Sequence, residues 1–184
     1  DFRLHDQTAL QAAVTDANQS GQDLLCVVCS PDFAETTRWG WLRWSPLRQA
    51  WWCRAVQGLA QALHQRGQRL LICAAPAPKS FARLRDHLAI DRLYCEEICA
   101  PEEMAEVRSL EQLGFTVKTV WQSSLLDPHT LPWEAEDLPA IFTDFRKQIE
   151  QRGIRPPSPL AVIDQFPPFP DCSHLPQGHV LSAA

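Results

Sequence analysis

Glycine is scarce in this sequence, seven in 184 residues, and none is arranged as a phosphate-cradling loop or a dinucleotide fingerprint, so neither a P-loop nucleotidase nor a classical dehydrogenase is supported. No Gly-x-Ser-x-Gly elbow marks a hydrolase nucleophile. Apolar runs such as Leu24-Leu-Cys-Val-Val-Cys29 fall far short of the ~20 residues that a membrane span needs. With no secretory leader ahead of them, no membrane association and a cytoplasmic location are expected. Positive charge is not in excess: 17 Lys and Arg stand against 22 Asp and Glu, a net charge of −5. Such a balance creates no overall field for phosphates and disfavours DNA binding by this chain alone. His5, His64, His87, His129, His174 and His179 are dispersed and form no metal-binding pair.

Seven cysteines is an odd number, and Cys26, Cys29, Cys53 and Cys73 sit inside apolar stretches where a thiol behaves as a small core residue. A disulfide framework is not expected. Cys26 and Cys29 have the spacing of a metal or redox pair, but in a strand residues three apart point to opposite faces. Cys95 and Cys99 lack a second pair of ligands.

What is present is enough apolar material, 45%, for one domain with a sizeable core. Short apolar or alternating runs at 24–29, 69–73, 92–95 and 115–120 read as strands. Between them lie helical stretches. Residues 46–66 open with Ser45 and Pro46, an N-cap and first-turn pair, and repeat Trp52, Val56, Leu59 and Leu63 at helical spacing before Gly67. Residues 80–89 and 101–113 read likewise, the latter opening with Pro101 and two acids and closing at Gly114. Asp6 precedes Ala9, Leu10, Ala13 and Val14 and is expected to cap a first helix. Strands alternating with helices imply an α/β fold, an open parallel sheet with helices on both faces. Leu25, Val27, Leu71, Ile72, Val117 and Val120 are its expected core. From Arg152 the periodicity stops and seven prolines fall within 156–176, so residues 1–151 are expected as the α/β domain and 152–184 as an extended linker or mobile tail.

The stretch Trp121-Gln-Ser-Ser-Leu-Leu-Asp-Pro-His-Thr-Leu-Pro-Trp-Glu-Ala-Glu-Asp-Leu-Pro-Ala-Ile-Phe-Thr-Asp-Phe-Arg-Lys-Gln-Ile149 is required by no generic fold. It resembles a segment of the photolyase and cryptochrome family, in particular the cryptochrome-DASH branch. Ile154-Arg-Pro-Pro-Ser-Pro159 is similar to that branch's I-R-P-P-x-P, and Asp1-Phe-Arg-Leu-His-Asp6 with Ala9-Leu10 is similar to the family's opening D-L-R-L-H-D-N-P-A-L. The resemblance covers roughly residues 1–170 and implies the family's Rossmann-like amino-terminal antenna domain.

That resemblance implies light capture in the service of blue-light-driven repair of pyrimidine dimers or of photoreception. A methenyltetrahydrofolate would absorb and pass excitation to a reduced FAD held in a second, helical domain, which this sequence does not contain. DNA would be met only through the full-length protein, and this chain alone would not be catalytic. The family's folate-gripping glutamate, in an E-V pair, matches Glu97 before Ile98, with Glu96 as the fallback. The loop Arg38-Trp-Gly-Trp-Leu-Arg-Trp44 stands where the family borders its antenna pocket, which places Trp41, Leu42 and Arg43 among the candidates. A pocket missing one domain wall should hold folate weakly. In the family a strand lies at the middle of the sheet immediately before the D-x-R-L-H-D motif. Either residues precede Asp1, or another segment fills that slot.

Two further readings compete. A non-catalytic interaction or regulatory module would use the three-tryptophan loop as a docking patch. A nucleotide-binding domain of the electron-transfer-flavoprotein or universal-stress type would share a related sheet, and the missing glycine-rich loop counts against it.

Overall fold

The computed structural model describes residues 2–173 and residue 175. In chain order the elements are α1 (Thr8–Ser20), β1 (Cys26–Cys29), α2 (Pro46–His64), β2 (Leu70–Cys73), α3 (Ala77–Arg85), β3 (Arg92–Glu97), α4 (Pro101–Gln112), β4 (Thr116–Trp121) and α5 (Phe142–Gln151), with 3-10 turns at Pro128–Thr130 and Ala135–Asp137. Strand and helix alternate through β4. This is the α/β architecture expected from the sequence.

The strands pair in parallel as β1 with β2 and β3 with β4. These are two separate two-stranded sheets. Between them lies a cavity of about 1360 Å³ lined by Ala13 and Ala17 of α1, Val27 and Cys29 of β1, and Leu93 and Cys95 of β3. One edge of β1 and one edge of β3 are therefore without a ladder partner among the described residues. The opening also shows in the core. Leu71 and Ile72 are buried, whereas Leu25, Val27, Val117 and Val120 are half-buried and none of the six is exposed.

Helices cover both faces of the β1–β2 pair. On one face Val56, Leu59, Ala60 and Leu63 of α2 meet Leu70 and Ile72, with Leu4, Leu10 and Trp52 at the margin. On the other face Leu71 and Cys73 pack with Leu84 and Phe81 of α3. Successive residues of β2 thus serve opposite clusters, as a two-residue side-chain period requires. Ser45 caps α2 by accepting from the Arg48 amide at 3.2 Å, and Pro46 fills the first turn. The N-cap of α1 differs from the expectation. Gln7, not Asp6, caps this helix, its side chain accepting from the Leu10 amide. Asp6 sits at φ 48, a left-handed conformation that Asp tolerates better than most residues, and its carboxylate accepts from the Leu160 amide at 3.0 Å.

That contact belongs to a longer engagement of the proline-rich stretch. Residues 154–172 contain no helix or strand, yet Ile163 is buried and Phe166 packs against the α2 cluster. Gln68, only 1% exposed, donates its carboxamide to the carbonyls of Leu24 and Pro167, both at 3.2 Å. The Leu24 amide donates to the Pro168 carbonyl at 2.9 Å, and Leu175 reaches the α3 cluster. The stretch is extended, exposed over residues 155–162 apart from the Leu160 contact and docked from Ile163 onward. The remainder of the expected tail, residue 174 and residues 176–184, lies outside the described residues.

The β3–β4 pair is fastened to α1, which packs on both strands. The Asp16 carboxylate of α1 accepts hydrogen bonds from the Tyr94 hydroxyl and the Arg92 guanidinium of β3, with the Lys118 ammonium of β4 at 3.6 Å. The Tyr94 hydrogen bond, followed by the Arg92 hydrogen bond, holds the Asp16 carboxyl below its ordinary range. A carboxylate depressed in the folded state contributes stability above its unfolded value, near ~3.9, and that contribution disappears as pH falls through the lower folded value. Asp16→Asn should therefore lower the melting temperature at neutral pH and flatten the loss of stability below about pH 4. Melting curves between about pH 7 and about pH 2.5 check this; an acid limb identical to that of the parent chain would contradict the role given to Asp16.

Candidate functional site

In open parallel α/β sheets, ligands bind beyond the carboxyl ends of the strands. Here that edge collects four strand ends and the loops after them. β3 runs two residues further than its apolar core suggests and ends in Glu96 and Glu97 themselves. The parallel register sets Glu96 beside Val120 and Glu97 beside Trp121, so the residues following β4 must lie next to the two acids.

They do. The Ser123 hydroxyl donates to Glu96 Oε1 at 2.8 Å and to the Glu97 carbonyl at 3.3 Å. His129 sits in the 3-10 turn that Asp127 caps, its amide donating to Asp127 Oδ1 at 2.9 Å. Its Nε2 lies 4.0 Å from Glu97 Oε2. Trp121 Nε1 donates to Ser124 Oγ at 2.8 Å, which folds the start of the loop back on the strand. The two acids are thereby distinguished. Glu96 is engaged by Ser123, whereas the Glu97 carboxylate, with its side chain 37% exposed, accepts no hydrogen bond among the described residues.

The tryptophan loop forms a short antiparallel turn. Thr36 bridges Leu42, the Thr37 amide donates to the Trp41 carbonyl at 2.7 Å, and Gly40 supplies the positive φ of 79° at the tip. Trp39, Trp41 and Leu42 are exposed at 69%, 76% and 59%. Arg43 faces inward. It grips Glu102 in the first turn of α4 through two hydrogen bonds of 2.6 and 3.0 Å and meets Glu35 at 3.1 Å. The Glu102 hydrogen bond is the main reason its guanidinium is held above the ordinary range, and the same bond holds Glu102 below its own. Trp44 is packed, edge-on to Phe33 and under the Arg48 guanidinium at 4.0 Å. Trp52 is half-buried and Trp51 exposed.

The sequence candidates thus divide. Glu96 and Glu97 share one strand end with Ser123 and His129. Arg43 ties the tryptophan turn to the connection leading from β3 into α4, while Trp41 and Leu42 stand free of that ion pair. Ser123 and His129 were not recognisable as isolated residues; the signal was that β4 runs parallel to β3 and ends at Trp121, at the head of the distinctive segment. Among the described residues no three His, Cys, Asp or Glu side chains gather as a metal cluster, and no helix is long and apolar enough to cross a membrane.

The family profile for DNA photolyase matches residues 1–165. The chain belongs to the DNA photolyase family. Among curated relatives, a cryptochrome DASH of Synechocystis sp. is 30% identical over 93% of this chain and 37% of its own length. The blue-light photoreceptor PHR2 of Arabidopsis thaliana is 26% identical over 99% of the chain and 40% of its own length. The crystal structure of a Synechocystis sp. cryptochrome superposes with a TM-score of 0.82 at 30% identity, over 93% of this chain and 36% of that one. A photolyase of Sulfolobus tokodaii, 17% identical with a TM-score of 0.69 over 92% of this chain and 36% of its own, shares the fold. This photolyase-family chain therefore spans well under half of the relatives it matches, and its fold is that of their amino-terminal domains.

The Arg43 ion pairs are exposed and contribute little to global stability. Their role is to hold the turn against α4. Arg43→Ala should leave the melting temperature nearly unchanged and raise the rate of tryptic cleavage after Arg38 several-fold. An unchanged cleavage rate would show that the turn is held by something other than this contact.

Proposed function

We propose that this chain is the light-harvesting part of a longer cryptochrome-DASH or photolyase polypeptide, and that the β3–β4 strand end with its neighbouring loops receives the pterin of methenyltetrahydrofolate. The observation that carries the reading is the Glu97 carboxylate, presented at a strand end 4.0 Å from His129 Nε2 and accepting no hydrogen bond among the described residues, while its neighbour Glu96 is engaged. An ionised carboxylate accepts two parallel hydrogen bonds, which suits a pterin ring N–H beside its amino group. Ser123 holds the strand end in place. His129 borders the same carboxylate and would shift or share it when a ligand arrives. Trp41 and Leu42, exposed on the turn that Arg43 ties to α4, would offer apolar cover to a ligand there. The bound folate would supply absorption of near-ultraviolet or blue light, well to the red of tryptophan.

The relatives' greater length supports a further partner, a flavin-binding helical domain that would hold FAD and close the pocket. In that longer protein, excitation would serve repair of pyrimidine dimers or photoreception, and DNA would be met there. The Sulfolobus tokodaii photolyase is described as carrying two FAD molecules with implication of a novel light-harvesting cofactor, which supports a light-harvesting role for the shared fold while leaving its chromophore a property of each protein. A pocket with one open side buries less of a ligand, so binding by this chain alone should be weak.

Glu97→Ala should weaken folate binding by about tenfold or more, the loss expected for removing a charge-assisted hydrogen-bond acceptor. Titration of the chain with methenyltetrahydrofolate, followed by folate fluorescence, reads this directly. Equal affinity in a variant with an unchanged circular dichroism spectrum would remove Glu97 from the site.

A further inference from the structure

Cys29 ends β1 and Cys73 ends β2, and the register pairs them directly across the parallel ladder. Paired residues of parallel strands point to the same face, and here both thiols belong to the α3 side, Cys73 inside the cluster with Leu71 and Leu84 and Cys29 against it. Cys26, three residues earlier, packs on the opposite face. The two thiols influence each other electrostatically, and the Ser80 hydroxyl influences both, as neighbours on one face do. Ser80 is itself only 4% exposed, held by its 2.7 Å hydrogen bond to the Ala75 carbonyl. Adjacent strands lie about 4.8 Å apart, inside the ~4.4–6.8 Å separation that a disulfide spans between Cα atoms. Backbone pairing, shared face and a fixed hydroxyl make this a built dithiol, unlike the exposed Cys53 and Cys99.

We propose that Cys29 and Cys73 are a modification site, a dithiol that a small hydroperoxide closes to a disulfide and a small thiol reopens. The Cys73 thiolate is the attacking group. Its pairing with Cys29 lowers its pKa against the opposing effect of burial, while Cys29 is shifted upward by the same partner. The first proton of the pair leaves more readily than the second, as two coupled sites require. Cys29 is half-buried and Cys73 buried, so Cys29 is the more open member of the pair.

In the first step the Cys73 sulfur takes one oxygen of the hydroperoxide, the O–O bond breaks, and the other oxygen leaves and picks up the proton lost by the thiol. Cys73 is then a sulfenic acid. The Cys29 sulfur attacks it, forming the S–S bond and expelling hydroxide, which leaves as water with the Cys29 proton. Two thiols and one hydroperoxide become one disulfide, one water and one alcohol, or two waters from hydrogen peroxide. Two electrons pass from sulfur to oxygen. Reopening consumes two small thiols and returns their disulfide. The cross-link would stiffen the root of the tryptophan turn, because the Ser30 amide already donates to the Cys73 carbonyl at 2.7 Å.

The chain is treated with hydrogen peroxide, blocked with N-ethylmaleimide after unfolding, and read by intact mass and peptide mapping. The expected product has lost roughly 2 Da before blocking, escapes labelling at Cys29 and Cys73, and yields a cross-linked peptide pair that dithiothreitol separates. A Cys53→Ser/Cys99→Ser chain should give the same cross-link, and Cys29→Ser should stop at a dimedone-reactive Cys73. Full labelling of Cys29 and Cys73 after treatment, or a cross-link that maps to other cysteines, would overturn the proposal. The parent chain decides the matter even where a variant fails to fold.

Discussion

A parallel strand carries hydrogen-bonding groups on both edges and side chains on both faces, and the molecule is organised by how far β1 and β3 meet that demand. Each is paired along one edge only. The halves are joined instead by what crosses between them. Helix α1 sends Leu10 toward the α2 cluster and Asp16 into the Arg92 and Tyr94 groups of β3, so one helix is bonded to both half-sheets. The proline-rich stretch is held through Gln68, whose carboxamide links Leu24, two residues ahead of β1, to Pro167.

The same division determines where function can lie. The β3–β4 ladder is six residue pairs long, against four for β1–β2, and it is the longer ladder that carries Glu96 and Glu97 to the sheet edge. Because the strands are parallel, the chain leaving β4 is delivered to the same edge. Ser123 and His129 therefore reach the acids by topology. Arg43 adds the third loop by bridging to Glu102, so three connections converge on the edge at which ligands of such sheets are held.

Much of the fold was legible in the sequence because its periodicities are clean. The stripe Val56, Leu59 and Leu63 is buried, Ser45 and Pro46 start α2, and Cys26 and Cys29 do face opposite clusters. The misreading at Asp6 came from equating a good capping residue with the cap itself, when Gln7 takes that position and Asp6 reaches Leu160 across the chain. Half-burial of Val27 and Val117 reflects the cavity beside their strands, which a hydrophobic pattern cannot reveal. Nor can composition show that a proline-rich stretch is docked, since its anchors are backbone carbonyls at Pro167 and Pro168 whose partners, Gln68 and Leu24, lie far earlier in the chain. Glu97 was named from a family resemblance; that Glu96 is already engaged by Ser123 could only be read from the geometry.

The central claim is that the carboxyl edge of β3 and β4 is where this photolyase-family domain receives its chromophore. Nitrogen–proton correlation spectra of the isotope-labelled chain, recorded while methenyltetrahydrofolate is added, address it residue by residue. The account predicts that amide shifts concentrate at Glu96 to Ile98, Trp121 to His129 and Gly40 to Arg43, with α3 and the Phe166 region undisturbed. Shifts confined to α3 and the docked proline-rich stretch, or none at folate concentrations that change the fluorescence, would contradict it.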